Sequence, residues 1–172
     1  MNDTIETIQC PACGKDMHKV FMSESGTCLD VCIDGCGGIF FDGQELKHFD
    51  ENSENIDELK ELLKNKNYTP VNEDKVRICP VCGNKMVKNY VSAKKEIMID
   101  ECYNCGGKFF DHGELMKMRN QYATEEERRQ DVLATSYREY GAELQAMELQ
   151  NKINEAKRSK FLKILDSWFL GR

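Results

Sequence analysis

Eight of the nine cysteines occur in pairs whose spacing is typical of a metal site. Two or three residues separate the members of a pair, and eighteen or nineteen separate the pairs of one set. Zinc binds thiolate sulfur and takes four ligands at the corners of a tetrahedron. The sequence therefore predicts two four-cysteine sites and two Zn²⁺ ions per chain. The predicted ligands are Cys10, Cys13, Cys32 and Cys36 in the first set and Cys79, Cys82, Cys102 and Cys105 in the second.

The two cysteine sets belong to an internal repeat with an offset of 69 residues. Phe40-Phe41-Asp42 corresponds to Phe109-Phe110-Asp111, and Glu45-Leu46 corresponds to Glu114-Leu115. Self-similarity at a fixed offset indicates a duplicated unit. The copies differ in two spacings that cancel each other. Three residues separate Cys32 from Cys36 and only two separate Cys102 from Cys105, whereas the preceding hairpin is one residue shorter in the first copy.

Other residues that could do chemistry have simpler interpretations. Asp42 with Glu45, and Asp111 with Glu114, have the spacing of a helix capping box, so we interpret these carboxylates as caps rather than as catalytic pairs. The histidines His18, His48 and His112 do not correspond in the repeat, and we expect none of them to be a ligand.

Cys28, the ninth cysteine, falls on a predicted strand and is interpreted as an apolar strand residue. The alternatives are that it competes with Cys32 as a ligand or is a reactive thiol. Because no nucleophile–base pair and no phosphate-binding loop is visible, we predict that the protein is not an enzyme.

Short strands must bring the cysteine pairs together. In each copy, a hairpin and a third strand are predicted, followed by a helix start. The predicted strands are 15–22, 27–31 and 39–42 in the first copy and 85–91, 95–101 and 108–111 in the second. A unit of this size has little core of its own, so zinc is expected to hold each one together as a separate module. A short amphipathic helix is predicted at 55–64.

The C-terminal tail is predicted to be one long amphipathic helix over 124–169, with apolar residues in a heptad-like frame. Three interpretations stay open: packing on the ribbons, a coiled coil between two copies, and a surface membrane anchor at 157–169. The frame contains Leu133, Tyr137, Tyr140, Leu144, Met147, Asn151, Asn154, Arg158, Phe161, Leu165 and Trp168.

Composition narrows the class of protein. The net charge is -6, and it is unevenly distributed along the chain. Residues 1–50 are acidic, whereas residues 79–120 carry a small excess of bases. Neither a signal peptide nor an apolar run of about 20 residues is visible, so we predict a cytoplasmic protein without a transmembrane segment. Thiols stay reduced in that compartment, which favours metal over disulfides.

The motif Cys-Pro-x-Cys-Gly, followed by Asp-x-Cys-x-x-Cys-Gly-Gly-x-Phe-Phe-Asp-x-x-Glu-Leu, resembles the bacterial zinc-ribbon family named after transcription factor IIB. The second copy matches it from Cys79 to Leu115, and the first matches it from Cys10 to Leu46 with one extra residue before Cys36. The resemblance implies a zinc ribbon of short antiparallel strands and says much less about function.

We therefore expect a small, metal-stabilised α+β protein. Its expected parts are zinc ribbon 1 (1–50), a linker with a short helix (51–75), zinc ribbon 2 (76–122) and a helical tail (123–172). The predicted function is non-enzymatic protein–protein interaction, related to transcription, with a homo-oligomer through the tail as one form of it. The alternative is nucleic-acid binding by the basic second ribbon, through Lys85, Lys88, Lys94, Lys95 and Lys108, and a thiol or metal sensor is a third candidate.

Overall fold

The structure is a computed structural model that describes residues 7–51 and 54–170, with the backbone alone at 144 and 161–170. The chain divides into two units, Met1–Arg128 and Arg129–Arg172. The strands are β1 (His18–Met22), β2 (Thr27–Val31), β3 (Ile39–Phe41), β4 (Val87–Tyr90), β5 (Met98–Glu101) and β6 (Lys108–Phe110). The helices are a 3₁₀ helix (Glu45–His48), α1 (Asp57–Leu63), α2 (Glu114–Arg119) and α3 (Glu125–Leu170). The expected α+β class is confirmed.

The two ribbons share one sheet, although we expected each to be a separate module. Its strand order is β1-β2-β3-β6-β5-β4, so the third strands of the two copies lie side by side at the centre. They pair antiparallel, with Ile39 opposite Phe110 and Phe40 opposite Phe109. The hairpins β1–β2 and β4–β5 therefore form the two outer parts of a continuous sheet.

Phe40 and Phe109 lock the two halves of the sheet together. Both rings are fully buried, and each lies over the second glycine of the other ribbon's Cys-Gly-Gly sequence. A Cβ atom at Gly38 would lie 2.3 Å from Cζ of Phe109, and one at Gly107 would lie 2.5 Å from Cζ of Phe40. Only glycine leaves room for these contacts, which explains why the repeat has glycine at both positions.

The sheet has an apolar core on each face. On one face, apolar strand residues of both ribbons pack under the helices, with Phe41 and Phe110 in an edge-to-face contact at 5.4 Å. The opposite face carries the cysteines together with Phe40 and Phe109. Because both cores contain residues of both ribbons, the burial that stabilises one ribbon also depends on the other.

The linker and α2 are fastened to the first ribbon. Ile56 and Leu59 of α1 are buried in the helix-side core, and the carboxylate of Glu58 accepts hydrogen bonds from the backbone and the hydroxyl of Ser23. From α2, the guanidinium of Arg119 donates to the carbonyl of Phe49 at 2.6 Å and to that of Glu54 at 2.7 Å. These contacts fix the chain between the two ribbons.

The second unit consists of α3 from residue 129 onward. The predicted helix is present, and it begins at Glu125, where the hydroxyl of Thr124 accepts a hydrogen bond from the backbone of Glu127 at 3.2 Å. Tyr137 is 68% exposed and Met147 is 64% exposed. Leu144, Phe161, Leu165 and Trp168 of the predicted stripe lie outside the described side chains. Within the described ranges, every helix is too short or too polar to cross a membrane.

Candidate metal centres

The structure brings the eight predicted ligands into two clusters of four. Within each cluster, the four sulfur atoms lie within 4.8 Å of one another. In the first cluster, Sγ of Cys10 is 3.4 Å from Sγ of Cys36, and Sγ of Cys13 is 3.4 Å from Sγ of Cys32. The corresponding distances in the second cluster are 3.5 Å for Cys79 and Cys105 and 3.4 Å for Cys82 and Cys102.

These distances fit a tetrahedral zinc site. A Zn–S bond of about 2.3 Å places the sulfurs of a tetrahedron about 3.8 Å apart, whereas a disulfide bond brings two sulfurs to about 2.0 Å. All nine cysteines are free of disulfides. Four sulfurs with no carboxylate or imidazole among them form a donor set typical of structural zinc.

A tight turn forms the first half of each cluster. The backbone N–H of Cys10 donates to the carbonyl of Lys15 at 2.7 Å, and that of Cys79 donates to the carbonyl of Asn84 at 2.8 Å. Gly14 and Gly83 close these turns with φ values of 78° and 72°. A residue with a Cβ atom is strained at such backbone angles, so glycine is favoured between the first ligand pair and the strand.

Glycine also absorbs the extra residue in the first cluster. Gly35 lies between Cys32 and Cys36, where a Cβ atom would be only 2.6 Å from Sγ of Cys32 and 2.8 Å from Sγ of Cys13. With hydrogen at this position, the four sulfurs keep the spacing seen in the second cluster. The departure from the family pattern therefore leaves the geometry of the site intact.

The pKa values of the thiols within each cluster are shifted in opposite directions. A hydrogen bond from Cys36 lowers the pKa of Cys10 to about 5, whereas burial raises the pKa of Cys32 to about 12. In the second cluster, a hydrogen bond from the side chain of Asn84 lowers the pKa of Cys82 to about 6, and burial raises the pKa of Cys79. A Zn²⁺ ion therefore has to displace thiol protons on binding.

Paired charges lie on the zinc-side face of each ribbon. The ammonium of Lys19 is 3.1 Å from the carboxylate of Asp30, and that of Lys88 is 3.2 Å from the carboxylate of Asp100. These pairs occupy corresponding positions of the repeat. This pairing explains why both copies have an aspartate two residues before the third cysteine.

Arg77 is the most deeply buried cation among the described residues, and no sequence pattern singled it out. It is 1% exposed and donates to both carboxylate oxygens of Asp111, at 2.8 and 2.7 Å. Asp100 is 3.3 Å away, and the guanidinium lies 4.9 Å from the ring centroid of Phe109. One signal was available, because the corresponding residue in the first copy is the apolar Ile8.

The remaining candidates take structural places. Glu45 accepts the backbone N–H of Asp42, and Glu114 accepts that of Asp111, both at 2.7 Å, as one half of a capping box requires. The other half, a side-chain cap from Asp42 or Asp111, is not formed as predicted. The helices begin after Gln44 and Gly113, neither of which caps its helix with a side chain, and the carboxylate of Asp111 binds Arg77 instead.

The three histidines and the ninth cysteine belong to neither sulfur cluster. Nε2 of His18 is 2.8 Å from the carboxylate of Asp34 at the surface, and His112 packs on Tyr68 with ring centroids 4.4 Å apart. His48 is exposed. Cys28 is half-buried on β2 opposite Phe21 and belongs to neither sulfur cluster.

Comparison with known protein families agrees with this geometry. Residues 9–50 and residues 78–120 each match the family described as transcription factor zinc-finger, a zinc ribbon of the transcription-factor-IIB type. The chain carries two tandem zinc ribbons of this family. Neither the comparison with curated proteins nor the comparison with solved structures found a match. As a tandem zinc ribbon, the protein binds two zinc ions per chain, one for each four-cysteine cluster.

Proposed function

We propose that the eight clustered cysteines are the zinc ligands and that both zinc sites are structural. Four sulfurs fill the tetrahedron of each ion, whereas a catalytic zinc keeps one position open for water or substrate. On this basis the protein has no zinc-dependent catalytic activity. The ribbons then serve as a rigid platform, and the function lies in what the platform and the tail bind.

We further propose that the protein acts by binding other protein chains through its tail helix. The observation that carries this proposal is the exposed apolar stripe of α3, formed in its first part by Leu133, Tyr137, Tyr140 and Met147. An isolated long helix with such a stripe gains most of its stability by burying it. A role in transcription is supported by the family description alone.

The favoured partner of the tail is a second copy of the chain. The stripe continues in a heptad frame, and Asn151 and Asn154 interrupt it with a polar segment. Asparagine at a coiled-coil core position fixes the register and the number of strands at some cost in stability. In a parallel, in-register pair of tails, these asparagines would lie opposite one another. Each apolar segment would then pack against the equivalent segment of the second chain.

Nucleic-acid binding, the alternative function, has weaker support. Lys88 pairs with Asp100, and Lys108 pairs with Glu101 at 2.9 Å. Lys94 donates to the carbonyl of Gln121 at 2.7 Å. At least three of the five lysines that suggested a phosphate-binding surface therefore already have partners in the folded protein. Binding to oligonucleotides that weakened steeply with salt would revive this alternative.

The tail proposal is tested by the molar mass in solution. Light scattering of the zinc-loaded protein should give a dimer, and truncation to residues 1–122 should give a monomer. Tyr137→Asp and Met147→Asp should also give monomers, because each places a charge in the stripe. Ala142→Asp introduces the same charge at an exposed position outside the stripe and should remain a dimer. A monomeric full-length protein at all concentrations contradicts self-association through α3.

A further inference from the structure

The duplication extends beyond the ribbons into the helices that follow them. At the offset of 69, Asn55 before α1 corresponds to Thr124 before α3. Both side chains bind the backbone at the start of the following helix, since Asn55 accepts the N–H of Asp57 at 2.9 Å and Thr124 accepts that of Glu127 at 3.2 Å. Helix α1 and the first turns of α3 are therefore counterparts in the repeat.

In the first ribbon, the space between the hairpin and the following helix is closed. Leu29 and Val31 of β2 are fully buried there, together with Ile56 and Leu59 of α1. In the second ribbon, polar residues replace five apolar residues of this core. Val20, Val31, Ile39, Ile56 and Leu59 are replaced by Asn89, Glu101, Lys108, Glu125 and Arg128.

A cavity of 510 Å³ lies at the corresponding place in the second ribbon, and all five polar replacements line it. Its apolar part includes Val91, Ile99 and Met118. These three correspond to Met22, Leu29 and Phe49 of the first ribbon's core. The second ribbon thus keeps the apolar floor of the first ribbon's core while its walls have become polar.

Several of the polar groups at the cavity are bound to one another. The carboxylate of Glu101 is 2.9 Å from the ammonium of Lys108 and accepts a hydrogen bond from Asn89, also at 2.9 Å. Among the described residues, the guanidinium of Arg128 has two long contacts, 3.4 Å to the carboxylate of Glu125 and 3.5 Å to that of Asp50.

The charge of the cavity lining is negative. Its acids are Asp50, Glu51, Glu101 and Glu125, and its bases are Lys108, Arg119 and Arg128. The guanidinium of Arg119 is already committed to the backbone carbonyls of Phe49 and Glu54. The half-exposed ring of Tyr90 also lines the cavity, and aromatic faces attract cations.

We infer that this cavity is a binding site for a small amphipathic cation. Its apolar body packs on Val91, Ile99 and Met118, and its positive head lies among the carboxylates of Asp50 and Glu125. The volume is within the range of about 300–1,000 Å³ that is usual for small-molecule sites, and an apolar floor with a few converging polar groups is their common composition. The inference does not depend on the function proposed for the tail.

Three probes of the same shape and different charge test this inference. They are 2-phenylethylamine, 2-phenylethanol and 3-phenylpropionate, added to full-length zinc-loaded protein with methyl groups labelled for NMR. The amine should shift the methyl signals of Val91, Ile99 and Met118 and bind several-fold more tightly than the alcohol, with the acid weakest. Binding of the acid in preference to the amine overturns the inference, and so does the absence of shifts at these methyl groups with the amine.

Substitutions taken from the first ribbon locate the site. Glu125→Ile combined with Arg128→Leu restores the apolar pair of α1, and it should fill the cavity and abolish the shifts. Arg128→Leu alone removes the loosely held cation and should strengthen amine binding about threefold, a change of the size that a single exposed charge gives. Glu126→Ile, one position outside the cavity, is the matched control and should bind as the unmodified protein does. Equal binding by all three variants contradicts the proposed site.

The tail variant Tyr137→Asp separates this inference from the tail proposal. It should bind the amine unchanged even as the oligomeric state changes. Amine binding that disappears together with the dimer would mean that the site is not the one described and would overturn the inference.

Discussion

The rings of Phe40 and Phe109 lie on paired positions of adjacent strands, and each ring covers a glycine that belongs to the other's ribbon. Gly38 and Gly107 each follow a cysteine of their own zinc cluster by two residues. The carbonyl of Gly38 accepts the backbone N–H of Cys32 at 2.9 Å, and that of Gly107 accepts the N–H of Cys102 at 2.8 Å. The two glycines at the contact between the ribbons are thus hydrogen-bonded directly to a zinc-ligand cysteine of their own cluster.

Gly38→Ala and Gly107→Ala should each lower the free energy of unfolding by about 1–3 kcal/mol, the usual cost of forcing extra atoms into a packed core. Denaturant unfolding of zinc-loaded protein measures the effect. Gly141→Ala in α3 is the control, since a Cβ atom there meets nothing within 4 Å and should stabilise the helix slightly. Glycine substitutions at 38 and 107 that leave stability unchanged would contradict the close contact.

Loss of one zinc site should weaken the other, contrary to the independent folding expected from the sequence. Cys102→Ser should remove the second zinc ion and reduce the affinity of the first cluster at least about tenfold, because zinc binding in such modules is coupled to folding and the two ribbons share both cores. Chelator competition and zinc stoichiometry measure this, and Cys13→Ser should give the reciprocal result.

Cys28→Ser should retain two zinc ions and serves as the control for the cysteine substitutions. An unchanged amide spectrum for the first ribbon in Cys102→Ser, at unchanged zinc affinity, would show that the ribbons fold independently.

Removal of Arg77 should be the most costly single change outside the cysteines. Arg77→Ile introduces the residue that the first ribbon has at this position and leaves the carboxylate of Asp111 buried without its partner. The expected loss is about 3–5 kcal/mol in the free energy of unfolding. Adding Asp111→Asn should recover part of it, and a double-mutant cycle in denaturant measures the coupling. Additive effects of the two changes would rule out a direct interaction.

Glu114 should titrate far above an ordinary glutamate. Burial raises its pKa from the ordinary value of 4.5 to about 7. The unfolded chain loses this proton near pH 4.5 and the folded chain holds it until about pH 7, so this contribution to stability is full below pH 4.5 and is lost as the pH rises through 7. Carbon-13 NMR of the Glu114 carboxyl group in zinc-loaded protein measures the midpoint.

A midpoint near 4.5 would refute the shift. Glu114→Gln keeps the acceptor for the N–H of Asp111 and should remove the loss of stability between pH 4.5 and 7. Glu45→Gln makes the same exchange at the corresponding cap of the first ribbon, and it separates the cost of the amide from the effect of the charge.

The sequence predicted what depends on local spacing. The cysteine pairs, the hairpins and the start of the long helix at Thr124 all follow from patterns within a few tens of residues, and the structure agrees with them closely. The sequence did not predict that β3 and β6 pair. Phe40 and Phe109 decide this pairing, but in the sequence they are equally consistent with a separate small core in each ribbon. Arg77 was missed for a similar reason, since a single arginine before a cysteine acquires a buried partner only through the fold.

The reciprocal contacts at the centre of the sheet are those of an isologous interface, in which residue i meets residue j and j meets i. A chain with a single ribbon would carry everything needed to pair with a copy of itself through this same edge. Joining two ribbons in tandem makes the second partner intramolecular, so the pairing no longer depends on protein concentration but on the length of the connection. The central strands β3 and β6 thereby cover one another's exposed edges, which in a lone ribbon would remain open to aggregation.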